Sequence, residues 1–169
     1  MIDIRTLTAE AFAPFGVALG VTGPFHGPDA YLSADSDFWH EHLFDAGGGQ
    51  PEVLWVRYRS REPHIRRLEA HRLTEQAVIP LTAPIIQIVA PCDQNGAPDA
   101  AGALAFRVAP GQGLLMRAGC WHATRVEDRP ATCAMLTRRS TTLDLAGHLN
   151  KGETLSESVL RDVDLVLRF

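Results

Sequence analysis

Glu69-Ala70-His71-Arg72-Leu73-Thr74-Glu75-Gln76 and, further on, Pro110-Gly111-Gln112-Gly113 running through Arg117-Ala118-Gly119-Cys120-Trp121-His122 are the stretches whose joint reading decides the fold. Side chains two apart on a strand share a face, so Glu69 and His71 point to one side of a sheet, read here as a barrel interior. Gln76 follows a short turn, and His122 begins the strand after Gly119. A closed barrel would gather all four at one mouth. The mixture suits proton chemistry: a histidine exchanges a proton near neutrality, a carboxylate orients it, and an amide holds a carbonyl.

Working outward, short β-branched and aromatic runs are separated by Pro and Gly turns. Val53 to Arg59 reads as a strand, with Arg57 and Arg59 on its wetter face. Strands are expected over Ile65 to His71, Gln76 to Leu81, Ile85 to Val89, Ala103 to Val108, Gly113 to Met116, His122 to Val126 and Thr132 to Thr137, with turns at Pro84, Pro91, Asn95-Gly96, Pro98, Pro110 to Gly113 and Arg129-Pro130. Near the start, Ile2 to Ile4 alternates, and Thr8 can cap a helical turn over Ala9 to Phe12 that ends at Pro14 and Gly16. Residues 22 to 51 are rich in Gly, Pro and Asp and read as a loop-dominated excursion. At the end, Ser156 to Asp162 is expected to make two helical turns before a closing strand over Val163 to Phe169. The expectation is an all-β fold, an antiparallel β-barrel or jelly roll with a few short helices, in a single domain over 1–169 without repeats or linkers.

The chain of 169 residues can bury roughly 70% of its unfolded surface. Net charge is −4 and carries no block of like sign, which argues against a nucleic-acid partner. Apolar runs such as Ile85 to Ala90 fall far short of the roughly 20 residues that span a bilayer, so no membrane association is expected. Cys92, Cys120 and Cys133 are scattered, with no Cys-x-x-Cys spacing and no signal segment, as in a reducing cytoplasm.

The two opening stretches resemble the paired motifs of the cupins, whose first motif runs His-x-His to a later carboxylate or amide and whose second runs from a Gly through Pro-x-Gly to a His. On this resemblance Glu69, His71, Gln76 and His122 are the candidate catalytic residues and a weak metal set for Ni, Zn, Mn or Fe. No organic cofactor is expected. Glu69 stands where metal-binding cupins have the first His, and Glu75 is the alternative to Gln76. His26, His40, His42, His64 and His148 read as ordinary surface or core histidines. Lys151 is the only lysine, so a carboxylate would be clamped by arginine. Arg117, where the second motif has Pro, and Arg59 and Arg139 on expected strands are the candidates, with Trp121 beside them.

More specifically, the chain resembles the ureidoglycolate lyase (formerly hydrolase) family. The resemblance lies in Leu7 to Gly16, in Arg59, in Glu69 to Leu81 with Gln76 at the family's glutamine, in Gly113 to Trp121-His122, and in Arg139. Three departures stand out: Arg72 for a proline, Ala123 for a second histidine, and Arg138-Arg139-Ser140 for Asp-Arg-Gly. The resemblance implies cleavage of ureidoglycolate to glyoxylate and urea in allantoin and purine degradation. His71 and His122 would then be acid and base, Glu69 would orient an imidazole, Gln76 would hold the ureido carbonyl, and an arginine would bind the carboxylate. Two alternatives are another cupin enzyme acting on a small hydroxy or keto acid (a metal-dependent isomerase, decarboxylase or dioxygenase) and a non-catalytic module that binds a small acid. Exposed strand edges favour a homodimer.

Overall fold

The structure, a computed structural model, describes residues 1–21, 23 and 30–169. His26 and most of the first part of the 22–51 excursion lie outside the described residues. The strands are β1 (Ile2–Thr6), β2 (Gly16–Leu19), β3 (Tyr31–Leu32), β4 (Asp37–Phe38), β5 (Pro51–Tyr58), β6 (His64–His71), β7 (Gln76–Pro80), β8 (Ile85–Ala90), β9 (Leu104–Val108), β10 (Gly113–Met116), β11 (Trp121–Val126), β12 (Ala131–Arg138) and β13 (Ser158–Arg168). The helices are α1 (Ala9–Phe12) and α2 (Arg139–Lys151). The fold is mainly β, as expected.

Two sheets carry the site. One closes on itself in the order β1-β13-β6-β11-β8-β9, and the other is five-stranded in the order β2-β10-β7-β12-β5. Most pairings are antiparallel, but β1 runs parallel to both β13 and β9. Period-two alternation divides the apolar residues into two cores. Leu68, Ala70, Ile86, Ile88, Trp121 and Leu165 pack on one face of the closed sheet. Phe106, Val89 and Val126, on its other face, pack with Val78, Leu114 and Met135 of the five-stranded sheet. β8 is buried at every position because both of its faces are covered.

At α1 the expected cap is present, with Ala11 N–H donating to Thr8 Oγ1 at 3.2 Å. Two expectations near the C-terminus are corrected. Ser156 to Asp162 is not helical: from Ser158 onward the chain is β13, paired antiparallel with β6 from Ser158↔His71 to Arg161↔Leu68. The partner strand outweighs local propensity. The second correction is α2, where Arg139 opens a helix and does not sit on a strand. The helix ends at Gly152, whose φ of 72° is the left-handed conformation that lets its N–H cap the His148 carbonyl at 2.8 Å.

Candidate active site

Strand pairing builds the cluster. His122 on β11 lies directly across from Glu69 on β6. The turn before β11 is fixed by Gly119, at φ 81°, whose N–H donates to the His71 carbonyl at 2.6 Å. That bond ties the second motif to the end of the first. The ligand-capable atoms of Glu69, His71 and His122 all lie within 4.8 Å of one another, and the two imidazole centroids are 5.2 Å apart.

The hydrogen bonds fix what each ring presents. His122 Nδ1 lies 2.9 Å from the Cys120 carbonyl, and a carbonyl only accepts, so Nδ1 carries the proton. In the neutral ring Nε2 is then a lone pair. It is buried, 3.3 Å from Glu69 Oε1, yet not aligned for a hydrogen bond, so we read the contact as electrostatic. His71 Nδ1 sits 3.1 Å from Ser158 Oγ, leaving its Nε2 for the cluster. Burial and, secondarily, the charge of His122 hold His71 down to about 4. For Glu69, burial alone would raise the carboxyl, but its contact with His122 and the charges of both imidazoles prevail and hold it below its ordinary value. At neutral pH the carboxylate is ionised and His71 is neutral. The ionised Glu69 carboxylate and the free Nε2 of His71 converge beside Nε2 of His122, an arrangement that favours a proton or a cation there.

Glu69, His71 and Gln76 open into a cavity of about 360 Å³ between the sheets, roofed by α2. Gln76, at the start of β7, lines it from below. Glu75 does not: its carboxylate accepts from the Asp45 N–H at 2.9 Å and pairs with His42 at 3.0 Å. An adjoining cleft of about 460 Å³ reaches Glu69 and His122 from the other side and carries His64, Arg66, Arg67 and Arg125. Leu145 and Leu149 of α2 border both spaces. A larger cleft, about 670 Å³, runs along β13 and the end of α2 and touches none of the four cluster residues.

The expected arginines stand elsewhere. Arg59 is exposed beyond β5, where alternation turns Leu54, Val56 and Tyr58 to the cavity and Arg57 outward. Arg117 donates to the Pro14 carbonyl at 2.9 Å, and Arg139 lies 3.4 Å from Glu52 Oε2. Trp121, one residue before His122, faces the opposite core and donates to the Gly96 carbonyl at 3.1 Å. None of the four lines the cavity.

Other side chains there were not anticipated from the sequence. Thr137 is buried in the cavity wall with no partner for its hydroxyl among the described residues. Burial, chiefly, keeps the Tyr58 phenol protonated. Asp144 of α2 accepts from the N–H groups of Ser156, Glu157 and Ser158 at 2.8–3.0 Å, which fixes Ser158 against His71.

The profile of the ureidoglycolate lyase family matches residues 1–151. A ureidoglycolate lyase of Rhodobacter capsulatus is 38% identical over 124 residues, covering 70% of this chain and 74% of the relative. The chain belongs to the ureidoglycolate lyase family. A second relative, ureidoglycolate lyase 2 of Rhizobium meliloti, is 32% identical over 72% of this chain and 75% of its own length. Among solved structures, a dTDP sugar isomerase of Desulfovibrio desulfuricans aligns with 77% of this chain and 77% of its own at a TM-score of 0.42 and 13% identity.

Within the family pattern the departures are local. Ala123 packs against the core opposite His122. Arg138 donates to the Gly47 carbonyl at 2.9 Å and pairs with Glu157 at 3.5 Å, tying the 46–47 loop to the start of β13. Arg72 is exposed, and its backbone N–H donates to the Glu157 carbonyl at 2.9 Å.

Proposed function

We propose that the chain cleaves ureidoglycolate to glyoxylate and urea. The observation that carries this reading is the convergence of Glu69, His71 and His122 within 4.8 Å of one another, where two adjoining cavities meet at Glu69, in a chain of this family. The reaction moves one proton. The hydroxyl on the central carbon loses it, the carbon–nitrogen bond breaks as the carbonyl forms, and the departing urea nitrogen gains it. His71 Nε2 is the base: Ser158 occupies Nδ1, and burial keeps the ring neutral. His122, oriented by the Cys120 carbonyl and carrying a proton on Nε2 beside the Glu69 carboxylate, gives that proton to the leaving nitrogen, and the proton taken up by His71 then replaces it. Gln76 holds the ureido carbonyl. The substrate carboxylate faces the arginine-bearing cleft, where Arg66 is exposed; Arg125 already donates to the carbonyls of Glu62, Thr124 and His64.

The same donor set fits a divalent ion such as Ni, Zn or Mn. The buried, unpartnered Nε2 of His122 and the Glu69 carboxylate supply two ligands, with His71 as the third. When bound, the ion would polarise the substrate hydroxyl.

We further propose a homodimer in the cytoplasm. Edge strand β5 exposes Val53 and Trp55, the three cysteines are free thiols, and no helix among the described residues is long and apolar enough to cross a membrane.

The test is release of glyoxylate and urea from fresh ureidoglycolate, corrected for spontaneous decay, before and after chelation and metal add-back. Release above the spontaneous rate is expected; none under either condition would overturn the assignment.

A further inference from the structure

The cavity that receives the ureido end of the substrate is unlike that end in size and polarity. At about 360 Å³ it has room for about a dozen waters at ~30 Å³ each, and a urea group fills only a fraction of that. Leu54, Val56, Met135, Leu145, Ala146 and Leu149 make up much of its wall. No arginine or lysine lines it and the Glu69 carboxylate does, so a substrate carboxylate placed inside would be desolvated beside a like group. The neutral ureido end is the part that enters. Gln76 and the unpartnered hydroxyl of Thr137 can hydrogen-bond a ureido carbonyl and N–H. Beyond them the wall is mainly apolar, with Tyr58, Thr141 and Thr142 set among the aliphatic side chains, and unsubstituted urea leaves that apolar part facing water.

From this we infer that the site accepts ureido acids whose distal nitrogen carries an apolar substituent, R-NH-CO-NH-CH(OH)-COO⁻, with R seated against Leu54, Val56, Leu145 and Ala146. The inference rests on the lyase reading above. The chemistry balances without a further reactant: the hydroxyl proton ends on the leaving nitrogen, the carbon–nitrogen bond breaks, and glyoxylate and R-NH-CO-NH₂ are released with no change of oxidation state. Apolar surface buried by R favours the substituted acid over the parent.

The test separates binding from turnover. Oxalurate and its N-butyl derivative, in which a carbonyl replaces the carbinol carbon so that neither can eliminate, are titrated into the full-length protein by calorimetry. N-butyl oxalurate is expected to bind at least tenfold more tightly than oxalurate. Ala146→Trp, which fills the cavity, is expected to remove that gain. Equal or weaker binding of the butyl compound, or no binding of either, overturns the inference, and this comparison needs only the wild-type protein. N-butyl ureidoglycolate and ureidoglycolate are then assayed for glyoxylate. A tenfold binding gain with no glyoxylate from either acid keeps the apolar subsite and overturns the lyase reading; glyoxylate from the parent alone does the reverse.

Discussion

His71 and His122 have rings close enough to touch, yet their outer nitrogens are held by different partners, a hydroxyl for one and a carbonyl for the other. In the proposed reaction each ring is a proton carrier, and such groups typically contribute about 10²–10⁴ in rate. His122→Ala is therefore expected to lower kcat by at least about 10²-fold while its circular dichroism stays native; activity within a few-fold of wild type would refute the role. The buried His71 also links stability to acid. Its pKa falls from 6.5 in the open chain to about 4 in the fold, so below 6.5 the unfolded state binds a proton that the native state refuses. Stability should fall as pH drops from about 6.5 to about 4 and level off below, by about 3 kcal/mol for this group. Thermal melts of His71→Asn should show a shallower loss over that window. That Glu69, His71, Gln76 and His122 would lie near one another was legible because strand alternation and motif spacing are both local. Arg59 could have been excluded on the same ground, since it falls on the parity of the outward Arg57. Ser158 and Thr137 gave no signal, because their importance comes only from what the fold sets beside them.

At the scale of elements, α2 decides how the site is covered. It escaped sequence reading because it roofs a cavity and not a packed core: Leu143 and Leu149 remain exposed, and its apolar stripe is short, with Leu145, Ala146 and Leu149 continued by Thr141 and Thr142. Its attachment is polar. The Asp144 carboxylate gathers the backbone N–H groups that open β13, and Glu157 on that segment pairs with Arg138 at the foot of the helix. Asp144→Ala leaves those donors unpaired and should cost about 1–3 kcal/mol. A fall in Tm of several degrees and a rise in KM are expected from melting curves and initial rates; an unchanged KM would mean the helix stays in place without this anchor. The same carboxylate explains why Ser156 to Asp162 was misread. It caps the segment in an extended approach, and β6 then supplies the ladder.

For the whole molecule, the run of short strands and turns made a β-barrel or jelly roll legible, but strand order was not, since it depends on contacts between residues far apart in sequence. The parallel placement of β1 is an example. Edge strand β5 sets Trp55, 66% exposed, and Val53 on the outer face of the five-stranded sheet. Burying that face in a second copy would explain their exposure. Trp55→Glu is expected to shift the light-scattering mass from dimer to monomer, and a wild-type monomer would remove the argument. One further consequence follows from the pairing of β6 with β11. They meet at a single register position, Glu69 with His122, whereas β12 and β5 are laddered along their whole length. Where ladder hydrogen bonds are sparse, spacing is governed by the side chains behind, here Leu68, Ala70 and Ala123. The carboxylate–imidazole gap is thus a compliant seam, and evolution or a protein engineer can retune the reaction centre by changing a methyl group on its far side.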